Sequence, residues 1–251
     1  DQERAKDFTD IYLNKKVKAI FSLRGGYGSV RIAPLIPWKR IFSSPKPFIG
    51  FSDVTTFHSI FSKGKVISYH GPVLTQILRQ EGRVQDAMWE SLYSKLSRSF
   101  SGENVFSDTS DMKVIVKGKA EGKLVGGNLC TLVSLLGTKY EPYYAGSVLF
   151  LEDIGEEPYK VDRFFTQLIL SGRLNKVKAI LLGSFTDCDP KVKSNIFRQN
   201  VTDVIKERLG NLKIPVISGL PFGHGDINET LPVGAVVTIE AKTSNVEIKF
   251  K

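Results

Sequence analysis

A chain of 251 residues, 41% hydrophobic and 24% charged, is long enough to bury one large core or two smaller ones, and its balance excludes a disordered chain. No run of eighteen apolar residues occurs, which argues against a membrane span. The 35 Lys and Arg against 26 Asp and Glu leave a net charge of +9, but the basic residues are spread out, with no dense block interleaved with aromatics. The surplus reads as a solvated basic surface that favours anionic ligands rather than as a nucleic-acid interface.

Two cysteines, Cys130 and Cys188, form no C-x-x-C pair, and three histidines show no paired metal spacing. These counts point to a reducing compartment without a disulfide framework and argue against a structural zinc site. Cys188 has nothing near it in sequence that would lower its pKa and make it a nucleophile.

In chain order, residues 1–14 read as a helix with Ala5, Phe8, Ile11 and Tyr12 on one face. The chain opens on Asp1 directly into this helix, so a preceding segment is expected. Residues 17–23 (VKAIFSL) form a short apolar run of the kind found in a strand buried on both faces. That run enters Arg24-Gly25-Gly26-Tyr27-Gly28-Ser29, followed by a helical pattern over Val30, Ile32, Ala33 and Leu35. A glycine-rich turn from strand to helix presents free N–H groups to an anion or oxyanion. The G-x-G-x-x-G spacing is absent, and a tight turn without a ligand is the plain alternative.

Residues 46–58 repeat the theme. Phe48, Ile49 and Phe51 make an apolar extended run that reaches Gly50 and Ser52 and then switches to a helical pattern over 54–61. This is the strand, turn and helix of a nucleophile elbow, which lifts a serine hydroxyl off the end of a sheet. The sequence departs from G-x-S-x-G at Val54, and an ordinary serine N-cap is the alternative. Residues 65–69 form another strand ending at His70-Gly71-Pro72, with helical patterns over 73–78 and 84–96. Alternating strands and helices predict a parallel sheet covered on both faces, with ligands at the carboxyl ends of the strands, where Gly26 and Ser52 both lie.

From 97 to 111 the composition turns to Ser, Gly, Asn and Asp, which reads as a crossing between domains. We expect one domain over 1–97, a linker over 98–118 and a second domain over 119–251. In the second, 112–116 reads as a strand, and 122–128 as a turn whose Gly126-Gly127-Asn128 caps a helix over 129–136. Residues 147–151 (SVLFL) form a buried strand that ends in Glu152-Asp153. A helix over 158–170, a strand over 177–182 and a helix over 196–209 follow. A strand over 214–220 runs into Pro221-Phe222-Gly223-His224-Gly225-Asp226, and 236–241 with 246–250 close the chain as a hairpin.

Acyl transfer by Ser52 requires a base, a group that orients the base, and N–H donors for the oxyanion. His58 reads as a packed or surface residue of the elbow helix, and His70 as a turn residue that satisfies backbone groups. His224, between glycines in a loop, has a ring free of packing constraints that can lean into a cleft, although a loop histidine is also ordinary polar surface. Glu152 and Asp153 stand at the rim of a sheet, and Asp226 is close to His224 in sequence. The order Ser52, Glu152, His224 is the Ser, acid, His order of α/β-hydrolases.

The segments ERAKDF, VKAIFSLRGGYGSVRI, KPFIGFSDVTTFH, SYHGP, LVGGNL, VLFLEDIGEEPYKVDRFFTQL, VKAILLGSFTDC and PVISGLPFGHGDIN follow one another in this order. Together they resemble the LD-carboxypeptidase family of serine peptidases, which also includes the microcin C self-immunity peptidase, over nearly the whole chain. The resemblance implies an α/β fold: a flavodoxin-like or Rossmann-like parallel-sheet domain bearing Ser52, without the family's usual first strand and helix, and a C-terminal α/β domain bearing Glu152 and His224. It implies Ser52 as nucleophile, His224 as general base and then acid, and Glu152 as the group that fixes the imidazole tautomer. Backbone N–H groups of Gly26 and Asp53 then form the oxyanion hole.

Neither metal nor cofactor is expected. The implied substrate is a small peptide, the murein tetrapeptide, whose terminal D-Ala is removed in the bacterial cytoplasm by a homodimeric enzyme with no nucleic-acid or membrane partner. Arg24 and Lys160 are the candidates for binding the terminal carboxylate. Two alternatives stand beside this reading: the immunity branch, which cleaves a peptidyl or aminoacyl nucleotide with the same triad, and a non-catalytic anion-binding module built on the RGGYG turn and the basic surface.

Overall fold

The computed structural model describes residues 1–97, 100–191, 199–243 and 245–251. In the first part of the chain, α1 (Gln2–Leu13), β1 (Ile20–Phe21), α2 (Ser29–Ile32), α3 (Trp38–Phe42), β2 (Phe48–Gly50), α4 (Thr55–Lys63), β3 (Ser68–His70), α5 (Leu74–Arg79) and α6 (Gly82–Ser97) follow one another. In the second come β4 (Lys113–Val116), β5 (Gly118–Asn128), α7 (Leu129–Ser134), β6 (Ser147–Ile154), α8 (Pro158–Leu170), β7 (Ala179–Thr186), α9 (Val201–Leu209), β8 (Val216–Ser218), β9 (Leu231–Val233), β10 (Val236–Lys242) and β11 (Asn245–Phe250). Of the helix expected over 196–209, residues 196–198 lie outside the described residues, as do 98 and 99 of the expected linker.

The protein has a mixed α/β fold with two sheets. The smaller has the order β1-β2-β3-β9, parallel except for β9, which runs antiparallel to β3. The larger has the order β11-β10-β5-β6-β7-β8-β4, with β5, β6, β7 and β8 parallel and antiparallel strands at both ends. Helix α4 carries buried side chains at every position from Thr55 to Phe61, because it is covered on more than one side. Phe57 and Phe61 join Tyr12, Trp38 and Phe48 in the core of the smaller sheet, while Thr55 meets the end of β5. The larger sheet has a core on each face, one under α7, α8 and α9 and one that includes Leu231 and Val233 of β9. Strand β9 thus reaches the smaller sheet from a stretch of chain that follows His224.

Several elements differ from expectation. Strand β1 is confined to Ile20–Phe21, both half-buried rather than buried on both faces, and α3 was not anticipated. On α1, Ala5 and Tyr12 are buried but Ile11 is 51% exposed, so the inward face is narrower than the sequence pattern. The glycines at 126 and 127 lie inside β5 rather than in a turn. A Cβ on Gly126 would stand 1.9 Å from the Phe150 carbonyl oxygen, and one on Gly127 would stand 2.4 Å from Thr55 Oγ1, so both glycines serve close packing. Asn128 does cap α7 as expected, its side chain accepting from the Thr131 N–H. Strand β9, with Pro232 at its centre, was not anticipated; it is an edge strand, where a missing N–H is tolerated.

Candidate active site

Ser52 lies immediately beyond β2 with φ of 67°, a left-handed conformation that a non-glycine residue adopts only when its surroundings hold it there. The room for this turn comes from Gly50 and Gly25. A Cβ on Gly50 would meet Ser22 Oγ at 2.4 Å and Val54 Cγ2 at 3.1 Å, and a Cβ on Gly25 would meet Ser52 Oγ at 3.0 Å. Val54 therefore stands where a glycine was expected because the clearance is provided by Gly50 across from it. The RGGYG turn packs directly on the serine, and Asp53 fastens the two turns together. Its carboxylate accepts from the N–H groups of Gly28 (3.2 Å) and Ser29 (2.9 Å), and its carbonyl accepts from Ser29 Oγ at 2.5 Å.

Glu152 is fully buried near the end of β6. The register between β6 and β7 shifts between Leu151 and Asp153, the kind of irregularity that re-aims a side chain beside a site. His224 Nδ1 donates to Glu152 Oε2 at 2.5 Å. This fixes the tautomer and leaves Nε2 as the basic nitrogen. Glu152 Oε1 has no hydrogen-bond partner among the described residues, so the carboxylate's one hydrogen bond there is the one that Oε2 accepts from the imidazole. Gly223 permits the approach: with φ of 102°, a Cβ there would stand 2.7 Å from Glu152 Cβ. The His224 ring is not free of packing as expected. Its side chain is 15% exposed, and its ring lies 4.5 Å from that of Phe51, the residue before Ser52.

Ser52 and His224 line the same cleft of about 550 Å³, together with Arg24, Gly26, Phe51, Gln76, Arg79 and Asp226. Asp226 lies in the cleft, but the carboxylate on His224 Nδ1 is Glu152. Arg24 Nε donates to the Gly25 carbonyl at 3.3 Å. Lys160 is not among the cleft residues; it pairs with Glu156 at 3.1 Å. Arg79 is a cleft cation that sequence reasoning missed, since it reads only as the last residue of a short helix.

The other histidines have different tasks. His58 is buried, and its Nε2 donates to the Gly50 carbonyl at 2.7 Å while Nδ1 accepts from Ser68 Oγ at 2.8 Å. Burial holds its pKa down at about 4. His70 satisfies no backbone group. It sits at the end of β3 among the rings of Phe51, Phe150 and Phe222 with both nitrogens unpartnered, and burial drives its pKa well below the usual imidazole range.

Asp153, next to Glu152, serves structure. Its oxygens accept from Asn128 Nδ2 at 2.8 Å and from the Cys130 N–H at 2.9 Å. Burial is the main cause that raises its pKa to about 6. Cys188 is buried, and its thiol is pushed up to about 11 mainly by burial, which removes it as a nucleophile. Among the described residues no group of three or more His, Cys, Asp or Glu is arranged to hold a metal ion, and no helix is long and apolar enough to cross a membrane.

A strained serine, a carboxylate-bound histidine and a glycine-rich turn thus lie together at the rim of parallel strands. Two family models match: the LD-carboxypeptidase N-terminal domain over residues 1–71 and the LD-carboxypeptidase C-terminal domain over 121–239. The chain belongs to the LD-carboxypeptidase family, whose members are hydrolases acting on peptide bonds. It is 33% identical to the murein tetrapeptide carboxypeptidase of Pseudomonas aeruginosa over 95% of this chain and 78% of that protein. Its fold matches the crystal structure of muramoyltetrapeptide carboxypeptidase from Oxalobacter formigenes with a TM-score of 0.86 and 31% identity, covering 100% of this chain and 84% of that one. A structure of MccF in complex with glutamyl sulfamoyl guanosine matches with a TM-score of 0.87 and 26% identity, covering 100% of this chain and 81% of that one.

Proposed function

We propose that the protein is a serine carboxypeptidase that hydrolyses the amide between an L-configured centre and the C-terminal D-Ala of murein tetrapeptide, as part of cell-wall recycling. The observation that carries this reading is the short Nδ1 to Oε2 contact between His224 and Glu152 in a cleft that the strained Ser52 also lines. Ser52 Oγ attacks the carbonyl carbon while His224 Nε2 takes the hydroxyl proton. Negative charge then forms on the carbonyl oxygen, and the N–H groups of Gly26 and Asp53 stabilise it. His224 passes the proton to the departing D-Ala amine as the C–N bond breaks. Water, deprotonated by the same nitrogen, then releases the acyl group and restores Ser52. Glu152 holds the tautomer throughout and stabilises the imidazolium. Arg24 and Arg79, which both line the cleft, supply positive charge for a terminal carboxylate.

Incubation with tetrapeptide followed by mass spectrometry tests the reading. Loss of one D-Ala is expected, and Ser52→Ala should lower the rate by at least about a thousandfold. A Ser52→Ala protein that retains the wild-type rate removes the mechanism.

The likeness to MccF favours one rival, cleavage of an aminoacyl nucleotide. Stacking of a nucleobase needs a free aromatic face. Among the described residues the cleft contains one aromatic, Phe51, and its ring is against His224. Peptide is therefore the preferred substrate. Faster turnover of an aminoacyl sulfamoyl adenylate than of tetrapeptide would reverse that order.

A further inference from the structure

We propose that Gln76 is a positioning residue for the general base, acting through the backbone on both sides of His224; this rests on the triad reading above. His224 stands between Gly223 and Gly225, a segment whose glycines leave the backbone free to rotate. Glu152 fixes only the imidazole ring, at Nδ1. The backbone on either side is held by α5. Gln76 Nε2 donates to the Gly223 carbonyl at 3.3 Å and to the Gly225 carbonyl at 3.3 Å, the two peptide oxygens that bracket His224.

The amide orientation is set by its third contact: Asn228 Nδ2 donates to Gln76 Oε1 at 3.0 Å, and Asn228 Oδ1 accepts from the Gly223 N–H at 2.9 Å. Gln76, Asn228 and Gly223 thereby close a ring of hydrogen bonds in which both amide protons of Gln76 are engaged. A side chain whose donors are already committed to the loop is suited to fixing that loop rather than to binding substrate, although it borders the cleft. The same first turn of the helix is also anchored to the strand that leads into the RGGYG turn. The N–H groups of Leu74 and Thr75 donate to the carbonyls of Ser22 and Leu23, two residues and one residue before Arg24. Helix α5 thus sets the distance between the RGGYG turn and the histidine loop. An error of about 1 Å in such a distance costs on the order of a hundredfold in rate.

The test is the labelling rate of Ser52 by a fluorophosphonate in the full chain, for wild type, Gln76→Ala, His224→Ala and the double variant, alongside kcat and KM on tetrapeptide. Labelling should slow by about tenfold or more on Gln76→Ala in the wild-type background and by less than about twofold in the His224→Ala background, with the tetrapeptide loss in kcat rather than KM. Gln76→Glu keeps the size and the acceptor for Asn228 but turns an acceptor on the two carbonyls, so it should match the alanine variant; it decides the same comparison if Gln76→Ala does not fold. A rate within twofold of wild type, or an equal loss in both backgrounds, overturns the proposal. Absence of labelling in wild type itself refutes the triad reading and takes this inference with it.

Discussion

Gly223 and Asp53 occupy the two places where one atom more or less changes the chemistry. A methyl group at 223 has no room beside Glu152 and would require a φ of 102° that alanine resists. Gly223→Ala should therefore separate Glu152 from His224 and lower kcat/KM by about a hundredfold or more, read on tetrapeptide hydrolysis. Asp53 acts in the opposite sense, by supplying acceptors. Asp53→Ala leaves the Gly28 and Ser29 N–H groups unpaired and loosens the oxyanion turn from the serine turn. The expected loss is about tenfold to a hundredfold in kcat with little change in KM. At this scale the sequence was partly legible. Ser52, Glu152 and His224 stand at strand ends or in a glycine-flanked loop, and the family segments surround each of them. The tie between Glu152 and Asp153 was not resolvable from adjacency, because alternation along a strand says that they face apart but not which faces the histidine. Gln76 carried no local signal, since its contacts join residues about 150 positions apart.

Among the elements, α4 and β2 are joined by a buried histidine, and this makes the fold sensitive to acid. His58 has a folded pKa of about 4 against 6.5 when free. The unfolded chain thus binds a proton that the folded chain refuses, and stability falls as pH drops from 6.5 towards 4. His70 adds to the same direction. Asp153 opposes it: its folded pKa of about 6 lies above the free value of 3.8, so its burial cost is relieved as pH falls through 6. The two effects overlap, and His58→Gln separates them. Between pH 7 and pH 5 the wild type should lose about 2 kcal/mol more stability than the variant, measured by urea unfolding, while the variant is the less stable at pH 7. A difference near zero would show that His58 titrates alike in the folded and unfolded chain. Buried elements of this kind were legible as apolar runs; β9 was not, because a three-residue strand centred on proline has neither length nor alternation. The glycines of β5 misled for the converse reason, since their packing partners, Phe150 and Thr55, come from other elements.

For the whole molecule, the pairing of β3 with β9 removes any clean boundary between a nucleophile half and a histidine half. Both tryptophans, Trp38 and Trp89, lie in the first 97 residues, so their fluorescence reports the smaller sheet, whereas far-UV dichroism reports the entire chain. The two signals should move together in a urea titration as one transition. Separated midpoints would mean that the smaller sheet stands without β9. The alternation of strands and helices was enough to anticipate two α/β units, but a strand passed from one to the other is a tertiary event without a local signature. That passage also bears on how the protein is made. Synthesis proceeds from the N-terminus, and residues 231–233 are made after His224 and after the other three strands of the smaller sheet. The sheet beside which Ser52 lies therefore gains its fourth strand only after the His224 loop has been made, so the serine turn waits on the part of the chain that also carries the histidine.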